Sequence, residues 1–277
     1  MKNNDRYKSR RREEQFATKI ATRIWHETPS TENPYIAENC QCHGYNLTEL
    51  MQHCNFSDVL YLLLRGELPT SDQRQLFNSA LVALVNPGPR HPATRAAMNA
   101  GVGKTDPAHI LPISLSLLGG RYLGGAEVEA SMRFIKKHLR KDPIQSAAEL
   151  FSTEVRPTDG DWHIAPGFGS RFGGVDIMQG KLARVLVNMP GSGESLQWGN
   201  AFAEALQPHG MSWLSTGVAA AAFADLGFLP RISAGLFQLA NAPGLLAHGL
   251  EFTNKPYTAM PFVADADYII ETSNKND

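Results

Sequence analysis

The chain has 277 residues, 43% of them hydrophobic and 19% charged, with a formal net charge of −1. That is enough apolar material for one large or two smaller domains, and it excludes the disordered and fibrous classes. The near-zero net charge also excludes the electrostatic footprint of a nucleic-acid binder.

The chain opens with a polar segment. Lys8-Ser-Arg-Arg-Arg12 is followed at once by Glu13 and Glu14, which reads as a solvated end rather than a nucleic-acid arm or membrane anchor. It contains no apolar stretch of the kind a secretory signal needs, and no window reaches about 18 uninterrupted apolar residues. The expectation is a cytoplasmic protein that contacts neither membrane nor nucleic acid. Three cysteines do not make a disulfide framework and agree with a reducing compartment. Cys40, Cys42, His43, His53 and Cys54 lie close together, but their spacing is neither C-x2-C nor H-x3-H. Leu47, Leu50 and Met51 between them recur as on a packed helix, so they read as ordinary thiols and imidazoles and no metal is expected.

From Phe56 to Leu68 a near-continuous apolar block, with Ser57 as candidate cap and Gly66 and Pro69 at its end, predicts a buried helix. Thr70-Ser-Asp72 caps the next helix, whose Leu76, Phe77, Leu81, Leu84 and Val85 share a face until Asn86-Pro-Gly-Pro89 stops it. Further helices are expected at about 93–102, 107–119, 126–140, 144–151, 176–189, 195–207, 212–227, 230–240 and 244–251. Thr158-Asp-Gly160, Pro190-Gly-Ser-Gly193 and Gln207-Pro-His-Gly210 are loops between them. As a phosphate cradle the Gly-Ser-Gly turn is weak, because no strand precedes it. Convincing period-two alternation is absent, and the fold class is all-α.

Several segments together carry a family resemblance. Gly44-Tyr-Asn-Leu-Thr-Glu-Leu50, Val59 through Pro69, Leu123-Gly-Gly-Ala126, Pro166-Gly-Phe-Gly-Ser-Arg-Phe172 and Gly244-Leu-Leu-Ala-His-Gly-Leu-Glu251 stand in the order and spacing of the citrate synthase family. The chain most resembles its short citryl-CoA lyase-like branch. The resemblance implies a helical large domain from residues 1–125 and 225–277, a small domain from 126–224, a cleft between them, and a homodimer.

It also implies a reaction that makes or breaks a carbon–carbon bond beside a CoA thioester. That chemistry needs a group to take the thioester α-proton, donors for the enolate oxygen and cations for the partner acid's carboxylates. The family's two histidines and aspartate match Leu123, Ser170 and Thr216 here. Its carboxylate-holding arginines match Met178, Asn241 and Met260. A leucine transfers no proton, and a thioether or amide is a poor substitute for a guanidinium fork.

The retained Gly167, Phe168, Gly169 and Arg171 imply contact with CoA, the loop meeting the adenine largely through its backbone. Ser170, Thr216 and His91 are the candidate reactive groups, with Tyr122 beside them. Leu123, Met178, Asn241, His248 and Met260 are the candidate pocket, and His248 itself reads as a core histidine on an apolar helix. Two readings follow: an altered enzyme acting on a CoA thioester with a less anionic partner, or a non-catalytic dimeric subunit that binds or scaffolds. Fold does not choose between them.

Overall fold

The computed structural model describes residues 16–158 and 160–269. The basic segment Lys8–Arg12 lies outside these residues. The chain divides into two compact units, residues 1–67 and 68–277.

In the first unit, strands β1 (Trp25–Pro29), β2 (Ala37–Cys42) and β3 (Tyr45–Asn46) form an antiparallel sheet in the order β1-β2-β3. Trp25 pairs with Cys42 and Gln41 with Asn46. The sequence reading did not place this sheet. Its strands are largely exposed, so no apolar alternation marks them. Helices α1 (Leu47–His53) and α2 (Phe56–Arg65) follow. The N-cap of α2 is Asn55, not Ser57: the Asp58 carboxylate accepts from the Asn55 N–H, while Ser57 is buried in the first turn. Cys40, Cys42 and Cys54 are free thiols, and burial pushes the Cys42 thiol up.

The second unit is a helical array: α3 (Ser71–Ala83), α4 (Pro92–Val102), α5 (Ile110–Leu118), α6 (Gly125–His138), α7 (Pro143–Thr153), α8 (Ile177–Val187), α9 (Glu194–Leu206), α10 (Ser215–Asp225) and α11 (Pro230–Thr253). The two-residue strands β4 (Phe168–Gly169) and β5 (Ser212–Trp213) pair antiparallel. The fold is all-α, as the periodicities predict. Thr70 caps α3 through a capping box with Gln73. The two helices expected at 230–240 and 244–251 are one. Pro243 lacks an N–H and the Gly244 N–H donates to Val85 O at 3.0 Å instead of up its own helix, so the ladder breaks locally while the axis continues.

Helix α10 sits at the centre, with Thr216 to Phe223 all buried. It packs on α6 and α9. Beside it Phe134, Phe168, Trp198, Phe202 and Trp213 form a cluster of tilted and edge-to-face rings, such as Phe168 on Phe202 at 4.8 Å and 84°. No helix among the described residues is long and apolar enough to cross a membrane.

The Pro190–Gly193 turn has a structural task. Asp225, at the end of α10, accepts from the N–H groups of Gly193, Ser195 and Leu196 at 2.8 to 3.0 Å. The protein's own carboxylate thus fills the anion-favouring N-terminus of α9. Replacing Asp225 with Ala should cost about 2 kcal/mol or more of stability in urea unfolding, since three amide donors lose a charged acceptor; a change below about 0.5 kcal/mol would contradict this.

Candidate functional site

The site is organised around Leu123, which joins the Gly119–Tyr122 turn to α6. Leu123 adopts a left-handed backbone conformation, φ 53°, unfavourable for a residue with a branched side chain. Both its backbone groups are held. Its N–H donates to Glu127 Oε2 at 2.7 Å, and its carbonyl lies 3.1 Å from His91 Nε2. His91 is the N-cap of α4 and its Nδ1 accepts from the Ala93 N–H at 3.1 Å. That fixes the proton on Nε2, which donates to Leu123. Burial pushes the His91 ring's proton affinity below the usual imidazole range, only partly offset by the bond to Leu123, with Arg171 nearby lowering it further. His91 is therefore a neutral ring with both nitrogens engaged.

Glu127 is the residue the sequence reading missed. It is 4% exposed, in the first turn of α6. Oε2 accepts from the Leu123 N–H and from the Thr216 hydroxyl at 3.0 Å; Oε1 accepts from His163 Nδ1 at 2.6 Å and from the Gly167 N–H at 3.4 Å. A carboxylate thus stands beside Thr216, though it comes from α6 rather than α10. One signal pointed to it: Glu127 shares a stripe with buried Ser131 and Ile135, at i, i+4 and i+8. His163 carried no such signal.

Around this carboxylate the retained loop is tightly folded in. Gly167 (φ 82°) crosses Gly217 of α10 so closely that a Cβ on either would meet the other's backbone, and Leu214 N–H donates to Gly167 O at 2.9 Å. The Phe168 N–H donates to Ala165 O, the Ser170 N–H to Trp162 O and the Arg171 N–H to Gly174 O. Gly169 pairs with Ser212 in the β4–β5 ladder. Phe168 and Gly169 are buried, so the loop's backbone is committed inside the protein and its exposed part is Phe172 and Gly173. The Ser170 hydroxyl accepts from Trp162 N–H at 2.9 Å.

Tyr122 stacks on His163, ring centroids 4.5 Å apart and 19° from parallel, and its hydroxyl donates to Asp161 Oδ2 at 3.2 Å. Burial and the Asp161 charge both push the Tyr122 phenol up. Burial alone would raise the Asp161 carboxyl, but the Gly173 and Phe172 N–H groups, the Tyr122 hydroxyl and Arg171 hold it below the ordinary range. Arg171 lies 3.7 Å from Asp161 and over the Phe172 ring at 4.2 Å.

Leu123, His91, Arg171 and Asn241 line one cavity of about 80 Å³ with Asp176, Gln179, Ser215 and Phe237. This is well below the roughly 300–1,000 Å³ of a small-molecule pocket. Asn241 is buried, its Nδ2 donating to Phe237 O. The other two positions matching arginines lie elsewhere. Met178 is 57% exposed and lines a separate depression of about 780 Å³ between α3 and α8. Met260 borders a surface hollow with Tyr257 and Phe262. His248 is half-buried, its Nε2 3.1 Å from Asn86 Nδ2, and so anchors the Asn86–Pro89 turn. No group of three or more His, Cys, Asp or Glu among the described residues is arranged to hold a metal ion.

Residues 26–153 match the family model described as citrate synthase, C-terminal domain. The fold superposes on citryl-CoA lyase from Hydrogenobacter thermophilus with a TM-score of 0.71 and 24% identity, over 91% of this chain and 94% of that one. The fold is citrate synthase-like. It also resembles ATP citrate lyase from Methanothrix soehngenii, solved with citrate and coenzyme A, with a TM-score of 0.67 and 16% identity over 93% of this chain and 44% of that one. In sequence, 95 residues are 30% identical to 2-methylcitrate synthase 2 of Corynebacterium glutamicum, spanning 27% of this chain but only 25% of that relative.

Glu127→Ala should destabilise the fold by about 3 kcal/mol or more in chemical denaturation, because it removes one partner of a buried pair and leaves the Leu123 N–H without an acceptor. A cost below about 1 kcal/mol would show that Glu127 does not organise the site.

Proposed function

We propose that this chain is a diverged citrate synthase-like protein that binds a CoA thioester or related acyl ligand and lacks classical citrate-forming and citryl-CoA-cleaving activity. One observation carries the reading. The positions matching the family's proton-transfer set hold Leu123, Ser170 and Thr216, and their polar groups are already used on Glu127, His91 and Trp162. The candidate base singled out in the sequence, His91, has no free nitrogen. With Met178 and Asn241 at positions the resemblance assigns to arginines, the one cation among the described residues lining the cavity is Arg171, already 3.7 Å from Asp161, so a tricarboxylate would shed its water shell with little cationic compensation, a penalty on the order of several kcal/mol.

Support for the CoA reading comes from the similar fold of a lyase solved with coenzyme A. With the backbone of Gly167, Phe168 and Gly169 committed inside, the contact falls to the Arg171 side chain and the exposed Phe172–Gly173 tip. In this reading residues 1–125 and 225–277 form the large domain, 126–224 the small one, and the protein acts in the cytoplasm. It is a homodimer: Ile113 and Leu117 of α5 and Leu239 of the adjoining α11 expose apolar side chains that a partner copy would cover. A second reading, a non-catalytic dimeric binding or scaffolding subunit, is favoured by the smallness of the cavity at Leu123.

Calorimetric titration should find citrate and oxaloacetate binding no tighter than about millimolar, and acetyl-CoA or free CoA more tightly. Acetyl-CoA with oxaloacetate should give no turnover at ordinary enzyme rates. Micromolar citrate binding with no affinity for any CoA species would reverse the reading. Sedimentation at micromolar concentration should show a dimer; a monomer throughout would contradict the assembly.

A further inference from the structure

The Glu127–His163 pair is left without a task by the family frame, because neither residue matches a position of the family's proton-transfer set. Its geometry is that of an oriented base. An ionised carboxylate can only accept, so the 2.6 Å contact places the proton of a neutral His163 on Nδ1 and leaves the lone pair on Nε2. That Nε2 is buried and has no hydrogen-bond partner. An unpaired buried acceptor destabilises a fold and calls for a reason. Were the ring held only to brace Glu127, its second nitrogen would be paired or in water. Tyr122, a half-exposed ring (52%), lies flat on the face of this imidazole, and its hydroxyl is held by Asp161 at 3.2 Å and by Arg171. Exposed side chains of this kind change rotamer on short timescales.

We propose that Glu127 and His163 are a relocated carboxylate–imidazole pair, in which His163 Nε2 takes the α-proton of an acyl-CoA thioester when Tyr122 turns aside. This rests on the CoA reading above. In the step, the α C–H bond breaks and its electron pair passes into the thioester carbonyl, giving the enolate. The proton forms the new N–H of an imidazolium, whose positive charge faces the Glu127 carboxylate 2.6 Å away. Return of a proton from His163 to the α-carbon closes the cycle with no net change, so no co-reactant is required. Glu127 fixes the tautomer and stabilises the imidazolium, as the orienting third group does in other nucleophile–base arrangements. Thr216, whose hydroxyl donates to the same carboxylate, acts as a positioning residue.

The test is α-hydrogen exchange of acetyl-CoA in heavy water, followed by proton NMR with the full-length protein, beside calorimetric binding of the same compound. The wild type should wash deuterium into the acetyl group. H163G should lose exchange by on the order of 10²-fold or more, and added imidazole should restore it in part, which a purely structural histidine would not allow. H163Q keeps a side-chain donor toward Glu127 and so preserves the fold, and it should be as inactive as H163G; it replaces H163G if that variant does not fold. E127Q should slow exchange while leaving acetyl-CoA binding within a few-fold. Exchange unaffected by H163G and H163Q overturns the proposal. Binding of acetyl-CoA by the wild type without exchange overturns it alone, whereas no binding of acetyl-CoA overturns the CoA reading as well.

Discussion

A single buried carboxylate holds the centre of this protein. Glu127 accepts from the Leu123 and Gly167 N–H groups, the Thr216 hydroxyl and His163 Nδ1, and so ties the start of α6 to α10, to the Pro166–Arg171 loop and to the segment before it. An ionised group this deeply buried would be costly without partners. Four donors, one of them an imidazole, are the kind of shell that makes it tolerable. Much of the local geometry follows. Leu123 keeps a left-handed backbone because Glu127 and His91 hold its two polar groups from opposite sides. Gly167 and Gly217 must both lack side chains because the loop is drawn against α10.

The same constraint determines which polar groups of the site are already engaged. The fold is citrate synthase-like, and within it the polar groups of Leu123, Ser170 and Thr216 are bonded to Glu127, His91 and Trp162. Leu123 contributes more than a side chain, since its backbone is a clamp point between Glu127 and His91. Fold alone does not set the chemistry of such a site.

Much of this was legible in the residues. The helices from α3 to α11 follow from apolar periodicity and from the caps at Thr70 and the stop at Asn86–Pro89. Of the residues singled out in the sequence, the structure brings Leu123, His91, Arg171 and Asn241 to one cavity. Three things were not legible. The β1–β3 sheet is largely exposed, Cys42 being its buried residue, and so leaves no alternating pattern. The continuity of α11 through Pro243 depends on the Gly244–Val85 hydrogen bond, a tertiary contact that outweighs a local breaker. The Glu127–His163 pair joins residues 36 positions apart through loops whose course no local pattern fixes, and only the stripe shared by Glu127, Ser131 and Ile135 hinted that this glutamate faced inward.

That one carboxylate organises the site is tested most directly by a double-mutant cycle on stability, combining Glu127→Ala with His163→Ala. The two side chains meet at 2.6 Å with Glu127 almost fully buried and the His163 side chain 15% exposed, so the cycle should return a coupling energy of about 1.5 kcal/mol or more. Additivity within about 0.5 kcal/mol would mean that the pair does not interact as described, and that Glu127 does not hold the centre of the protein.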